Sequence, residues 1–216
     1  MTQVVRRPTE DDIPFLAWVM YRAAQSHLDH CPFETLLEED EDGTLSFLEK
    51  LLCTEPVHLG HYSKFWIAEV DGEPVAAASG YRPETDGMHV LAEVFLDMAA
   101  VQQEYPPSRL VRIQKRLETV RSVFPADEQT QAWGVEYVAV LPEYRGLGLT
   151  DELFEHLFTE GSEAGYEFAQ ILSLVGNTTA ERAWRRNGFR VLEVLTDPDF
   201  EALIGAPGNK RHVRRV

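Results

Sequence analysis

Two cysteines, Cys31 and Cys53, are all that 216 residues contain, so no disulfide framework staples this chain. Long apolar runs are missing too. The longest stretch without a polar residue, Ile13–Met20, is eight residues, far short of the ~20 that a membrane-spanning helix needs. The opening MTQVVRRPTEDD has no apolar core of the kind a secretory signal carries, so the expectation is a cytoplasmic protein with no membrane partner. Basic residues are scarce: 20 Lys and Arg stand against 36 Asp and Glu, for a net charge of −16 and a pI near 4.8. Nonspecific nucleic-acid binding relies on phosphate neutralisation by Lys and Arg, so no nucleic-acid partner is expected.

What is there is an ordinary globular composition, 44% apolar and 26% charged. A chain of this length buries roughly 70% of its unfolded surface and folds without staples. Charge is unevenly spread. Residues 10–42 hold ten acids against one base, Arg22, whereas residues 177–216 hold eight bases against five acids. An anionic ligand is therefore to be sought toward the C-terminus, and the acidic stretch reads as a solvated face.

Gln3–Arg7 alternates weakly, as a first strand would. Thr9 is placed to cap a helix over Asp11–Ser26, with Ile13, Leu16, Ala17 and Met20 on one face. Pro32 opens a further helical region, broken by the acidic turn Glu38–Gly43 and resumed with Thr44 as the cap. Phe65–Val70 and Val75–Tyr81 flank Asp71-Gly72, a two-residue hairpin signal of type I′. Residues 84–130 differ. Val90, Leu91, Val94, Phe95, Met98 and Val101 mark a helix face that Pro106-Pro107 terminates. Ser108 then caps a second helix carrying Leu110, Ile113, Leu117, Val120 and Phe124, ending at Pro125. The remainder alternates: strand Val135–Leu141, helix Leu147–Glu160, strand Ala169–Val175, helix Thr178–Arg186, strand Phe189–Leu195. Residues 1–216 read as a single α/β domain with a helical-hairpin insertion at about 84–130.

The informative segment is Val135-Glu-Tyr-Val-Ala-Val-Leu-Pro-Glu-Tyr-Arg-Gly-Leu-Gly-Leu-Thr150, a strand running through a glycine-bearing turn into a helix. The exposed N–H groups of a first helical turn converge on one spot, and the helix dipole adds positive charge there. Gly146 and Gly148 let an anion approach the backbone, and Arg145 brings a formal charge to the rim. A pyrophosphate suits such a turn. It is not a P-loop, which ends in Gly-Lys-Ser/Thr, nor a dinucleotide fingerprint, which needs a third glycine where Asp151 stands. On these residues alone, an ordinary strand–helix turn that uses glycine for geometry is an equal alternative.

Pro142-Glu-Tyr-Arg-Gly-Leu-Gly-Leu-Thr150 resembles the acyl-CoA-binding motif of the GNAT (Gcn5-related) N-acetyltransferase superfamily. In that motif a Gln or Arg, two residues, a Gly, one residue, and a Gly or Ala hold the CoA pyrophosphate; here they fall on Arg145, Gly148 and Thr150, the last a departure. Asn177, Ala180, Ala183, Trp184 and Gly188-Phe189 resemble the family's Asn…Ala…Tyr…Gly-Phe segment, and Val5–Ile13 resembles its N-termini. The match covers most of residues 1–83 and 131–216 and leaves out the insertion. It implies a mixed twisted sheet flanked by helices and splayed between its fourth and fifth core strands. It also implies acetyl-CoA as cosubstrate, with no metal, and a small-molecule or peptide amine as acceptor. The cofactor would meet the turn Arg145, Gly146, Leu147, Gly148, Leu149 and Thr150, the backbone of Val138, Ala139 and Val140, and Asn177 and Trp184.

The implied reaction is direct attack of an amine on the thioester. A lysine-like amine of pKa ~10.4 is less than about 0.1% neutral at pH 7, so a proton acceptor is needed. Glu136 stands where many family members place a glutamate base, and simple alternation puts it on one face with Val138 and Val140. A solvent-exposed rim residue is the competing reading. Trp184 replaces the tyrosine that many members use to protonate the leaving thiolate, and an indole N–H is no titrating acid. Three readings stay open there: thiolate leaves unassisted, Tyr137 or Tyr144 substitutes, or the domain is a noncatalytic acyl-CoA-binding or regulatory module. His27-x-x-His30-Cys31 and His58-x-x-His61 have pair spacing for zinc, but nothing brings them together, and no metal is expected. The apolar faces of residues 84–130 need a surface to bury against. They are expected to wall or cap the acceptor pocket, with a homodimer contact as the competing use.

Overall fold

Asp71 and Gly72 both take positive φ, 52° and 89°, as a type I′ turn requires, and fold strand β2 (Phe65–Val70) back on β3 (Glu73–Tyr81). That hairpin seeds a seven-stranded sheet in the computed structural model, which describes residues 2–125 and 131–216. The other strands are β1 (Gln3–Arg6), β4 (Trp133–Val140), β5 (Phe168–Leu174), β6 (Arg190–Thr196) and β7 (Gly208–Arg215), in the order β1-β2-β3-β4-β5-β7-β6. Neighbours run antiparallel except β4 and β5, which are parallel.

Helices cover both faces. On one side lie α1 (Ile13–Gln25), α2 (Pro32–Leu37), α3 (Glu41–Leu51), α5 (Met88–Val101) and α6 (Pro107–Arg121), after a single turn α4 (Pro83–Asp86). Their shared core includes Leu16, Met20, Phe47, Leu48 and Phe95, all essentially without solvent contact. Each such side chain contributes about 1.5–3 kcal/mol by burial. On the other side α7 (Leu149–Glu163) and α8 (Thr178–Arg186) bury Leu153, Phe154, Leu157 and Trp184 against β2–β5. A third, smaller core joins Val123, just past α6, to Phe200 and Ile204 of α9 (Pro198–Ile204).

The inserted hairpin is held by different means in its two halves. Helix α5 buries Val90, Leu91, Val94, Phe95 and Met98. Helix α6 fully buries Ile113 alone, and is clasped to the end of α2 by arginines. Arg109 Nε donates to the Leu37 carbonyl (2.9 Å), Arg116 to the Thr35 carbonyl (2.9 Å), and Arg112 grips the Glu38 carboxylate with two hydrogen bonds of 2.7 Å. Residues 126–130, the end of the expected insertion, lie outside the described residues.

Several expectations shift in detail. Asp40, whose carboxylate accepts the Gly43 N–H at 2.9 Å, caps α3 in place of Thr44. Helix α6 starts at Pro107, because proline fits the first helical position, and not after Ser108. Helix α9 and strand β7 have no counterpart in the expected elements. Among the described residues no helix is long and apolar enough to cross a membrane.

Candidate active site

Strands β4 and β5 pair only over Trp133–Val135 and Ala169–Ile171, then diverge. The gap opens beside Val138, Ala139 and Val140, which line it from β4, and Leu172, Ser173 and Leu174, which line it from β5. At its mouth β4 runs through a short 3-10 turn, Pro142–Tyr144, into α7. Gly146 and Gly148 have φ of 85° and 83°, and a Cβ at either would meet nothing within 4 Å. Glycine is needed there for the left-handed backbone and leaves the space above it open. The N–H groups of Gly146, Leu147, Gly148, Leu149 and Thr150 take no partner among the described residues. Together with the α7 dipole they form an anion cradle. Arg145 stands exposed at its edge, and Arg182 and Arg186 of α8 line the same cleft.

Glu136 stands at the edge of a bulge. Up to Val135, β4 alternates simply, with Trp133 and Val135 packed on the α7 side. Tyr137 then takes φ of 50°, and β4 spends three residues where β3 spends two: Ala77 pairs with Ala139, but Ser79 with Glu136. Past the bulge, Tyr137 and Ala139 join the α1-side core, and Val138 and Val140 pack toward α7. Glu136, opposite Ser79 and in line with Ala77 and Tyr81, faces the α1 side. The expected grouping of Glu136 with Val138 and Val140 on one face is therefore wrong, because the extra residue reverses the alternation. Glu136 is half-buried and opens on the cleft. Desolvation pushes its carboxyl up to about 8, only partly opposed by a hydrogen bond from the Tyr137 N–H.

The other expected residues divide. Asn177 lines the cleft, but its amide is engaged at both ends: Oδ1 accepts the Ala180 N–H (3.0 Å) and Nδ2 donates to Ser26 Oγ (2.6 Å). Trp184 also lines the cleft. Its ring packs on Phe154 (centroids 5.5 Å), and its buried Nε1–H has no hydrogen-bond partner among the described residues. Tyr137 is stacked on Phe65, and burial raises its phenol, so it is a poor proton donor. Tyr144 is half-buried at the turn. His58 is a buried structural residue pushed down to about 4 by desolvation, its Nδ1 accepting the Gly60 N–H. Among the described residues no group of three or more His, Cys, Asp or Glu is arranged to hold a metal ion.

One pair escaped the sequence reading. Ser173 Oγ, lining the cleft, lies 2.9 Å from Nε2 of buried His212 on β7. The local signal for β7 was hidden, since its run Lys210, Arg211, His212 looks like a charged tail. Those charges are matched in the fold by Glu181 (2.7 Å from Lys210) and by Gln170 and Glu193 (2.7 and 2.9 Å from Arg211).

The whole cleft has a volume of about 1320 Å³. Beyond Glu136 it runs beneath Phe33 and Leu36 of α2, Leu91 and Phe95 of α5, and Leu117 and Val120 of α6, so the inserted helices wall it.

A mixed sheet that splays beside a bulged strand, with an anion cradle at the following helix, is the architecture of a Gcn5-related acetyltransferase. The chain belongs to the acetyltransferase (GNAT) family, whose sequence model matches residues 21–189. Solved structures share the fold at low identity. An acetyltransferase superposes with a TM-score of 0.68 at 17% identity, covering 97% of both chains. An N-acetyltransferase from Staphylococcus aureus Mu50 gives 0.67 at 15% identity, covering 99% of this chain and 100% of its own. A mutant agmatine N-acetyltransferase gives 0.58 at 18%, covering 99% of each. No curated protein matches the chain in sequence. Family and fold support acyl transfer as the activity.

Proposed function

We propose that this protein transfers the acetyl group of acetyl-CoA to a primary amine by direct attack, with Glu136 as the proton acceptor. The observation that carries the reading is the juxtaposition made by β4: one strand delivers an unpaired run of N–H groups at Gly146–Thr150 and, across its bulge, a desolvated carboxylate at Glu136. The cradle's chemistry fits the pyrophosphate of CoA, and the open edge of Val138–Val140 fits the amides of its pantetheine arm. Acetyl-CoA supplies an activated thioester. A backbone N–H near the bulge would polarise its carbonyl. Glu136, raised toward 8, is matched to taking a proton from an ammonium near neutral pH.

Trp184 favours a second reading. Its Nε1–H is a donor without a partner among the described residues but no acid, which suits a module that binds acyl-CoA without turnover. Release of free CoA thiol, followed across a broad amine panel with product mass determined, separates the two. Amine-dependent release with an acetylated product establishes transfer; saturable acetyl-CoA binding with no release for any amine establishes the binding module.

A further inference from the structure

We propose that the acceptor is a monoamine with an aryl or alkyl body, its ammonium end at Glu136 and its apolar body beneath α5 and α6. This rests on the acetyl-transfer reading above and adds the substrate class.

The walls past Glu136 are side chains of Phe33, Leu36, Leu91, Phe95, Leu117 and Val120. Among the described lining residues one other carboxylate occurs, Asp151. It belongs to the first turn of α7, where Arg186 (3.0 Å) and Asn187 (2.8 Å) already hold it. Among the described residues the second ammonium of a diamine or polyamine would therefore meet hydrocarbon with no counter-charge, a cost that its methylenes do not offset. Amino acids meet the converse problem. Arg22 is engaged by Gln25 (2.6 Å) and Glu41 (3.3 Å), and Arg145, Arg182 and Arg186 stand at the anion cradle and α8. Among the described residues no cation lines the cleft from α2, α5 or α6 to receive a carboxylate.

The roof over these walls is held in place by hydrogen bonds. Helix α6 is tied to α2 through Arg109 and Arg116, and the segment after it is tied to β7 by Asn209 Nδ2, which donates to the Val123 carbonyl (3.3 Å). A small amine with one charged end matches a carboxylate at Glu136 beside the apolar walls of α2, α5 and α6.

The test is CoA thiol release by the full chain with propylamine, hexylamine, 2-phenylethylamine, spermidine and glutamate. Each buried methylene adds about fourfold, so kcat/KM is expected to rise roughly 60-fold from propylamine to hexylamine. Phenylethylamine should exceed both spermidine and glutamate. Leu117→Asp places a second carboxylate in the wall and should lower hexylamine use while raising spermidine use. Its acetyl-CoA thermal shift is the check that it is folded, and the chain-length series on the unaltered protein does not depend on it. A flat chain-length series, or a preference for spermidine or glutamate, overturns the inference and leaves acetyl transfer standing. If no amine releases CoA, acetyl transfer fails, and calorimetric titration of hexylamine into the CoA-loaded protein decides the pocket. Binding that Leu117→Asp weakens supports it, and absence of binding overturns it.

Discussion

Asn177 Nδ2 donates to Ser26 Oγ at 2.6 Å, joining the end of α1 to the start of α8 across 151 positions of chain. Beside it, Gly176 has φ of 103°, and a Cβ there would come within 2.8 Å of His27 Nε2. The Ser26 bond engages the amide that the family resemblance assigns to the cofactor.

Ser26→Ala removes that tie and keeps the Asn177 cap of α8. The expected loss is about 1 kcal/mol of stability, the net worth of one hydrogen bond. Acetyl-CoA affinity, measured by calorimetry, should rise as Nδ2 is freed. A fall in affinity would show instead that the tie pre-organises the site.

Glu136→Gln keeps the shape of the side chain and accepts no proton. Turnover should drop about 10²–10⁴-fold, with acetyl-CoA affinity little changed. In the unaltered protein kcat/KM should climb with pH through an inflection near 8 as the carboxyl ionises. The variant should lose that inflection, and an unchanged rate would reduce Glu136 to a rim carboxylate.

The same carboxyl has a signature in stability. Its value is raised in the fold from the ordinary 4.5 to about 8, so between those pH values the folded chain holds a proton that the unfolded chain has released. Stability is therefore drained as pH rises from 4.5, and the loss is complete above 8. Glu136→Gln should match the unaltered protein in thermal midpoint near pH 4.5 and exceed it at pH 9, by at most about 2–4 kcal/mol. Equal midpoints at pH 9 would mean the carboxyl is well solvated.

A Cβ at Gly148 meets no atom within 4 Å, yet Gly148→Val forces a β-branched residue to φ of 83° and puts its side chain into the open space of the cradle. Acetyl-CoA at 100 times its dissociation constant should stabilise the unaltered protein by roughly 2.7 kcal/mol. The variant should show no such shift in a thermal melt. A retained shift would place cofactor binding elsewhere.

Glu38 receives Arg112 and Arg116, which hold its carboxyl down at about 2. A lowered value means that the clasp is present above the ordinary 4.5 and is lost as pH falls toward 2. Glu38→Gln should cost about 1 kcal/mol after solvent screening. Limited proteolysis should then cut the Pro106–Ser108 bend faster than in the unaltered protein, and a hexylamine–acetyl-CoA mixture should protect it. Protection that follows protein concentration and ignores ligand would mark the hairpin as a contact between copies.

Much of the fold rests on neighbours within a few positions. Asp71-Gly72 determines a hairpin because both residues tolerate positive φ, and Gly146 and Gly148 mark the cradle for the same reason. The face of α1 follows from the 3.6-residue period through Leu16, Ala17 and Met20. Those choices are made by each segment's own backbone, so they are legible in order along the chain.

Other features are decided between segments. The bulge at Tyr137 exists only in register with β3, and it alone turns Val138 and Val140 off the face that Glu136 occupies. Strand β7 slips between β5 and β6 with a sequence, Gly-Asn-Lys-Arg-His-Val-Arg-Arg, whose charges become tolerable only beside Gln170, Glu181 and Glu193. Helix α6 carries one fully buried side chain and is seated by arginines on carbonyls more than 70 positions away. The chain's local chemistry determines the β2–β3 hairpin, the face of α1 and the anion-binding turn. Register and long-range charge matching, which no single segment contains, decide which residues share the carboxylate's face and what roofs the cleft beside it.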